Sequence, residues 1–230
     1  MENKIISIKN LHYSYPDGTK ALCDINLEIQ RGESLGIIGS NGAGKSTLLL
    51  HFNGILRGRG EVSVLGNDLT DKNLPLIRSM VGLVFQDADS QLFMPTVFDD
   101  VSFGPINMGM PRQDVEKSVK KALKEVDMLA SIKRSSHHLS VGEKKRIAIA
   151  TVLSMNPQIL VLDEPSSNLD PKHRRALIKL LNMLEMTKII ATHDLDLISQ
   201  TCSRVVLMEE GKIVSGGLCP DFLAEAAALC

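Results

Sequence analysis

Apolar and polar residues alternate along the first third of the chain. Short alternating runs occupy residues 6–8, 11–15, 25–29 and 61–65. Alternation with a period of two is typical of strands that bury one face and expose the other. A Pro-Asp-Gly sequence at residues 16–18, typical of a turn, separates the second run from the third. The pattern predicts a small antiparallel sheet near the N-terminus.

Continuous apolar runs lie at residues 34–38, 81–85, 159–162 and 189–191. Runs without alternation are typical of strands that are buried on both faces. Segments with helical patterning alternate with these runs, which indicates a mainly parallel sheet covered by helices on both sides. The predicted fold class is therefore α/β, with the antiparallel β subdomain beside the core sheet.

Helical periodicity is clear at residues 114–129. One face of this predicted helix carries Val115, Val119, Ala122, Leu123, Val126 and Leu129. Prolines interrupt the surrounding stretch, which we interpret as an α-helical subdomain inserted between two core strands. We place this subdomain at about residues 88–155, and the core with the antiparallel sheet at about residues 1–70 and 160–230, within a single domain spanning residues 1–230.

Capping residues indicate where two further helices begin. Ser140 and Glu143 have the spacing of a capping box, in which each side chain accepts a hydrogen bond from the other residue's free amide. Asp170 followed by Pro171 is typical of an N-cap and a first helical residue. This second pair predicts a helix that continues through Leu184.

Charge and composition narrow the class of protein. The 230 residues carry a formal net charge of -1 with scattered basic residues, so no surface for nucleic acid is predicted. Short basic clusters at residues 144–146 and 172–175 are interpreted as solvated helix faces. No apolar stretch approaches the roughly 18–20 residues that a transmembrane helix needs. The four widely spaced cysteines are typical of free thiols in a reducing compartment. These features predict a soluble cytoplasmic globular protein.

A glycine-rich loop follows the apolar run at residues 34–38. It matches the pattern G-x-x-x-x-G-K-S in full, and a predicted helix continues to residue 52. Glycines let the backbone wrap closely around phosphate oxygens and present its amides, while the helix dipole adds positive potential. Lys45 is suited to reach the β- and γ-phosphates, and the Ser46 hydroxyl to coordinate Mg²⁺. The candidate phosphate-binding residues are Gly39, Ser40, Asn41, Gly42, Ala43, Gly44, Lys45, Ser46 and Thr47.

Two carboxylates end the apolar run at residues 159–162. Asp163 and Glu164 lie at the C-terminal end of a predicted strand, where open α/β sheets bind their ligands. Asp163 is predicted to hold Mg²⁺ through its water shell. Because the next side chain points elsewhere, Glu164 is the candidate general base that activates an attacking water.

These motifs, together with the sequence Leu-Ser-Val-Gly-Glu at residues 139–143, resemble the ATP-binding-cassette (ABC) ATPases over nearly the whole chain. The segment resembles the signature motif of that family, but Val141 replaces its usual glycine and Glu143 its usual glutamine. The resemblance implies ATP as the substrate, Mg²⁺ as the cofactor and ATP hydrolysis as the activity. It also implies that Ser140 and Gly142 contact the γ-phosphate of an ATP held by a second subunit, so that the chains close head-to-tail.

Further residues resemble family positions individually. Gln86 resembles the glutamine that senses Mg²⁺ and links to the helical subdomain, and His193 resembles the switch histidine that contacts the γ-phosphate. The resemblance gives both of them catalytic roles and makes Gln86 a metal ligand. Tyr15 resembles the aromatic residue that stacks on adenine, although Tyr13 is an alternative. Residues 167–170 resemble the loop that crosses the dimer interface.

Residues 85–105 are similar to the ATPases of energy-coupling-factor transporters, especially the cobalt and nickel importers. In that group the segment after the glutamine forms a groove for a coupling helix of the membrane subunit. Residues 92–94 offer an adaptable apolar patch for such a helix, with Asp87 and Asp89 nearby to receive basic groups. The alternative is that these apolar residues belong to the core of the helical subdomain.

The resemblance therefore predicts the energy-supplying ATPase of a membrane importer, with cobalt or nickel as the candidate cargo. The implied partners are an identical or related ATPase subunit, in a homodimer or heterodimer, an integral membrane coupling subunit and a substrate-binding membrane component. The implied location is the cytoplasmic face of the cell membrane. Alternatives are an importer for a vitamin or another small solute, an ordinary importer or exporter, and a soluble ABC ATPase that acts on nucleic acid or ribosomes.

Overall fold

In the computed structural model, which describes residues 4–222, the N-terminal region forms a four-stranded antiparallel sheet. The strands are β1 (Lys4–Ser14), β2 (Lys20–Gln30), β4 (Arg59–Val64) and β5 (Asn67–Asp68), in the spatial order β2-β1-β4-β5. The predicted antiparallel sheet is confirmed. The alternating runs at residues 6–8 and 11–15 lie in one strand, β1, which ends at Ser14. Asn10, with a φ of 49°, lies where the β1–β2 register shifts between Ile8 and Leu11, and this irregularity breaks the alternation.

A second, six-stranded sheet forms the centre of the molecule. Its strands are β3 (Ser34–Ile38), β6 (Val81–Val84), β7 (Ile159–Asp163), β8 (Thr187–Ala191), β9 (Arg204–Glu209) and β10 (Lys212–Leu218). The spatial order is β10-β9-β3-β8-β7-β6, and all neighbours are parallel except β9 and β10. The predicted mainly parallel sheet is confirmed.

Helices cover both faces of this central sheet. They are α1 (Lys45–Phe52), α2 (Leu74–Met80), α3 (Val97–Asn107), α4 (Arg112–Glu125), α5 (Val141–Leu153), α6 (Pro171–Met183) and α7 (Leu195–Thr201). In β7, Leu160 and Leu162 join a core with the α3–α5 segment, whereas Ile159 and Val161 join a second core with α1 and the antiparallel sheet. Since alternate residues of β7 enter different cores, the strand needs a continuous apolar sequence.

Helices α3, α4 and α5 pack against one another between β6 and β7 in sequence, where the helical subdomain is predicted. The prediction that α4 extends to Leu129 is wrong. The helix ends at Glu125, Asp127 has a φ of 55°, and Leu129 is 42% exposed in a short 3₁₀ turn. A residue in the left-handed conformation ends the helix. Apolar residues beyond it therefore no longer lie on the face of the helix that their spacing in the sequence indicates.

Both predicted helix caps are confirmed. The Ser140 amide donates to the Glu143 carboxylate over 2.8 Å, and the Glu143 amide donates to Ser140 Oγ. Asp170 accepts hydrogen bonds from two amides of α6, which begins at Pro171. Helix α6 ends at Met183, one residue before the predicted end.

The prediction of a solvated helix face is wrong for residues 144–146, whereas Lys172 and Arg175 of the second cluster are exposed as predicted. Lys145 is buried, and Lys144 forms an ion pair with Asp89 at 2.6 Å. In the second cluster, Arg174 pairs with both Asp194 and Asp196. Sequence periodicity shows which side of a helix a residue occupies, but it does not show which other segment packs over that side.

Among residues 4–222, no helix has the length and apolar character required to span a membrane. The cysteines Cys23, Cys202 and Cys219 are free thiols, as predicted, and Cys230 lies outside the described residues.

Candidate functional site

The glycine-rich loop connects the end of β3 to α1 in a conformation that requires glycine. Gly39 has a φ of 152°, and a Cβ there would collide with the Met208 carbonyl oxygen. Gly44, the N-cap of α1, has a φ of 99° and would place a Cβ 2.6 Å from the Ala21 carbonyl oxygen. Any side chain at these positions would push the loop away from its neighbours. The loop therefore holds its amides at the start of a helix, which is a suitable arrangement for an anion.

Lys45 lies across this loop. Its side chain is 6% exposed, and Nζ donates to the Gly39 carbonyl over 2.8 Å and to the Ser40 carbonyl over 3.1 Å. The ammonium also lies 3.8 Å from a Glu164 carboxylate oxygen. Its partners are thus two neutral carbonyls and one more distant carboxylate. A phosphate oxygen is a stronger acceptor for this charge than either carbonyl.

Asp163, at the end of β7, is close to Ser46 at the start of α1. The Ser46 side chain is close enough to the Asp163 carboxylate to lower its pKa, and Oδ1 of that carboxylate is buried without a protein hydrogen-bond partner. Burial is the largest cause that raises the pKa of Asp163, and the neighbouring Ser46 side chain opposes this effect. Hydroxyl and carboxylate oxygens are the ligands that Mg²⁺ prefers. The unpartnered oxygen shows that these two residues fit a small hard cation.

Glu164 is buried and its carboxylate is firmly held. Thr192 Oγ1 donates to it over 2.8 Å, and His193 Nδ1 lies 3.0 Å from it. The backbone of Glu164 has a φ of 43°, which is uncommon for a residue with a side chain. The amide of Glu164 donates to the Ala191 carbonyl over 2.8 Å. These contacts hold a carboxylate in one orientation against local backbone strain, a combination that concentrates at functional sites.

A cleft of about 570 Å³ brings most of the predicted site residues together. The predicted residues that line it are Tyr15, Asn41, Gly42, Gly44, Lys45, Ser46, Thr47, Gln86, Glu164 and His193. Gly39, Ser40 and Ala43 belong to the same loop without lining the cleft, and Asp163 is close to the lining residue Ser46 without lining the cleft itself.

The two tyrosines of β1 and its following turn have different surroundings. The Tyr15 hydroxyl hydrogen-bonds Thr47 Oγ1 over 2.9 Å, and Tyr15 lines the cleft. The Tyr13 ring packs edge-on against both Tyr15 and His51 and is absent from the lining of the cleft. Of the two candidates for stacking on a base, the geometry favours Tyr15.

The signature residues Ser140 and Gly142 stand apart from the residues that line this cleft. Ser140 is exposed at the N-terminus of α5, and the neighbouring Val141 is 51% exposed. Gly142 is buried, and a Cβ there would collide with the ring of His173. Position 141 can accept valine in place of the usual glycine because it is exposed. Position 142, in contrast, has no room for a side chain.

Several residues of the site were not identified from the sequence. Thr19, Lys20 and Ala21 also line the cleft, Thr192 holds the Glu164 carboxylate, and Lys145 contacts the Glu164 backbone. None belongs to a spacing motif of its own. The only available signal was position, since Thr192 directly precedes His193 and Lys145 follows the signature segment.

The phosphate loop, the paired carboxylates at a strand end and the parallel sheet define the class of protein as a P-loop nucleoside triphosphatase. The ABC transporter family model matches residues 22–167. The energy-coupling factor transporter ATP-binding protein EcfA of Methanocaldococcus jannaschii is 49% identical over 219 residues, which cover 93% of this chain and 78% of EcfA. The chain belongs to the ABC transporter family. It is an ATPase subunit of the energy-coupling-factor type.

Solved structures agree with this assignment. The structure of cbiO1 from Clostridium perfringens, described as part of the ABC transporter complex cbiONQ, has a TM-score of 0.89 and 42% identity, and the match covers 99% of this chain and 93% of cbiO1. A dimeric bacterial ABC transporter cassette has a TM-score of 0.84 and 28% identity, covering 93% of this chain and 98% of that protein. The protein therefore has the ABC ATPase fold along nearly its whole length.

Proposed function

We propose that this chain is the energy-coupling ATPase of a membrane importer that carries a divalent transition metal ion such as cobalt or nickel. The observation that carries the proposal is the similarity to cbiO1 over 99% of the chain. The metal cargo is suggested by the resemblance of residues 85–105 to the cobalt and nickel importers. In this proposal the chain lies on the cytoplasmic face of the membrane, bound to an integral coupling subunit and a substrate-binding component.

We propose that the cleft holds ATP with its phosphates on the glycine-rich loop. Lys45 then exchanges the Gly39 and Ser40 carbonyls for β- and γ-phosphate oxygens, and Tyr15 stacks on the adenine. Ser46 and Asp163, with Gln86 from the other side of the cleft, would hold Mg²⁺, which neutralises charge that develops on the phosphates during transfer.

Glu164 is proposed to act as the general base for the attacking water. Its buried carboxylate accepts the water proton, while Thr192 and His193 keep the carboxylate aimed into the cleft. His193 also offers its second ring nitrogen to the γ-phosphate, the role of the switch histidine it resembles. Orientation is the main contribution of this chain, because phosphoryl transfer depends mostly on positioning and charge.

The separation of the signature residues from the cleft supports a dimer. Ser140 and Gly142 lie outside the cleft of their own chain, and Ser140 is exposed at the N-terminus of α5. A helix N-terminus with free amides is suited to a phosphate of another molecule. We propose that two such chains, identical or related, close head-to-tail over two ATP molecules.

The substitution Asp163→Asn tests the metal site. A carboxyl whose pKa is raised on folding contributes stability below its unfolded pKa and loses that contribution as pH rises through the folded pKa. At neutral pH without Mg²⁺, Asp163→Asn is therefore expected to raise the free energy of unfolding, because it removes a buried charge whose ionisation folding disfavours. The same variant should lose the additional thermal stabilisation that Mg²⁺ gives to the ATP complex.

Differential scanning calorimetry with and without Mg-ATP measures both effects. Asp68→Asn, at an exposed position of β5, is the control and should change neither quantity. A variant Asp163→Asn that is less stable than the wild type without Mg²⁺, or that keeps the full Mg²⁺ effect, would contradict the assignment.

The apolar surface in the structure differs from the patch that the sequence predicts at residues 92–94 for the membrane partner. Leu92 is buried in the core of the helical segment, and Asp89 is already paired with Lys144. Asp87 caps the 3₁₀ turn that follows it. The described residues nevertheless expose an apolar surface on this segment, formed by Phe93, Phe103, Ile106 and Met108.

The Phe93 and Phe103 rings form the centre of this surface. They pack edge-to-face with 5.1 Å between their centroids and are 59% and 44% exposed. The loop that carries Phe93 is fixed by the buried Asp100 carboxylate, which accepts hydrogen bonds from the backbone amides of Phe93 and Met94 at 2.9 Å. A rigid, exposed aromatic pair is suited to receive an apolar helix. We propose this surface as the docking site of the membrane coupling subunit.

Transport in membrane vesicles tests the proposed function. With the membrane subunits present, ATP-dependent uptake of cobalt or nickel is expected, and Phe93→Asp should lower it about tenfold or more because a charge would enter an apolar contact. Met183→Asp is the control, since Met183 is equally exposed at the end of α6. Uptake of a vitamin without metal uptake would overturn the cargo. A purified chain that binds RNA but no membrane protein would overturn the proposed role in a membrane importer.

A further inference from the structure

Lys145 on α5 is a buried lysine whose ammonium is fully engaged. The residue is 8% exposed, and Nζ donates to the Gln86 carbonyl over 3.2 Å, the Glu164 carbonyl over 2.9 Å and Ser167 Oγ over 2.8 Å. A lysine ammonium has three donors, so every donor has a partner. Within residues 4–222, no carboxylate lies within 4.0 Å of Lys145 to form an ion pair. Burying a charge costs free energy unless the charge is paired or hydrogen-bonded, so the burial of this ammonium depends on its three acceptors.

The three acceptors belong to three different segments of the site. Gln86 follows β6, Glu164 follows β7, and Ser167 lies in the loop that leads to α6. Lys145 itself is on α5, the helix whose N-terminus carries Ser140. One side chain therefore connects the signature helix with the cleft of the same chain.

The contact to Glu164 is made at its strained peptide group. The Glu164 carbonyl accepts from Lys145, from Ser167 Oγ at 2.9 Å and from the Ser167 amide at 3.1 Å. The φ of 43° at Glu164 persists only where its surroundings hold it. Removal of the ammonium would leave this peptide with fewer constraints, and a rotation of the backbone would carry the carboxylate away from Thr192 and His193.

We propose that Lys145 is a positioning residue that holds Glu164 in its reactive orientation and couples that orientation to the signature helix. When α5 moves as two chains close over nucleotide, Lys145 transmits the movement to the Glu164 backbone and to Ser167. The inference rests on the proposed roles of Glu164 as general base and of the signature helix as a contact to the second chain. An alternative is that Lys145 only stabilises the packing of α5.

The substitution Lys145→Met keeps the length of the side chain and removes its donors. If Lys145 positions Glu164, kcat for ATP hydrolysis should fall about ten- to a hundredfold, the effect of a small misplacement at a reacting centre. The Kd for ATP and the melting temperature should stay near their wild-type values. A packing role predicts the opposite pattern, with a lower melting temperature and a kcat that follows it.

Double variants decide whether Lys145 acts through Glu164 and Ser167. The effects of Lys145→Met and Ser167→Ala on kcat should be less than additive, because both remove support from one peptide group. Adding Lys145→Met to Glu164→Gln should cause no further loss of residual turnover. Lys144→Met is the matched control: it removes a neighbouring charge of α5 that pairs with Asp89 rather than with Glu164, so kcat should remain within about twofold.

Two results would overturn the inference. One is a folded Lys145→Met protein with wild-type kcat, and the other is an additive effect of the two single substitutions. If Lys145→Met does not fold, Ser167→Ala alone tests the positioning role. This variant should lower kcat severalfold without changing the Kd for ATP. Wild-type kcat in that variant would overturn the inference. Full turnover by Glu164→Gln would instead refute the assignment of the general base.

Discussion

Glu164→Gln is expected to lower ATP turnover by about 10²- to 10⁴-fold, the range over which a general base contributes to catalysis. The amide can still accept a hydrogen bond from Thr192, so the fold and the cleft should remain intact. It cannot accept the proton of the attacking water at neutral pH. ATP binding should therefore survive, and the dimer should accumulate in its closed form with ATP bound.

Steady-state phosphate release and equilibrium binding of ATP measure the two parts of this prediction. Glu125→Gln is the matched control, because Glu125 lies at the end of α4 in an exposed ion pair with Lys121. It should hydrolyse ATP at the wild-type rate. Unchanged hydrolysis by Glu164→Gln would remove this residue as the base and leave His193 and Gln86 as the remaining catalytic candidates.

Lys45→Met should weaken ATP binding by about 10²-fold or more, since loss of one partner of a buried charge pair costs roughly 2–5 kcal/mol. Methionine fills the same space, so the loop should keep its shape. It supplies no charge for the β- and γ-phosphates, and in the free protein it leaves the Gly39 and Ser40 carbonyls without their donor. The effect of Lys45→Met should therefore be measurable as a higher Kd for ATP, independently of any effect on hydrolysis.

Isothermal titration with ATP measures this change. Lys117→Met, on the exposed side of α4, removes the same charge away from the cleft and should bind ATP like the wild type. If Lys45→Met bound ATP within a fewfold of the wild-type affinity, the phosphates would have to lie elsewhere than on this loop.

Local sequence rules predicted the elements that depend on neighbouring residues. The period-two alternation predicted the antiparallel sheet, and the continuous apolar runs predicted the parallel sheet. The caps at Ser140 and Asp170 were predictable because a capping side chain bonds to amides two or three residues away. The glycine-rich loop was predictable for the same reason, since its shape depends on backbone freedom within one short segment.

Predictions that depended on a partner distant in sequence were less accurate. Lys145 was expected in solvent, but three segments fold over its ammonium. Leu92 was expected in an exposed patch and is in the core, while Phe103 and Ile106 complete the exposed surface from α3. A helical or apolar pattern shows which face of an element is apolar. Which other segment covers that face depends on how the elements pack in the folded protein.

The sequence by itself determined the phosphate loop, the two carboxylates at the C-terminal end of β7 and the class of enzyme, because each depends on residues close together in the chain. The tertiary structure alone decided that Tyr15 rather than Tyr13 reaches the cleft and that Thr192 and His193 hold Glu164. It also decided that the signature helix is tied to the cleft through Lys145. These relations join residues 19 to 59 positions apart, and parallel β-strands bring such residues together only when the whole sheet has formed.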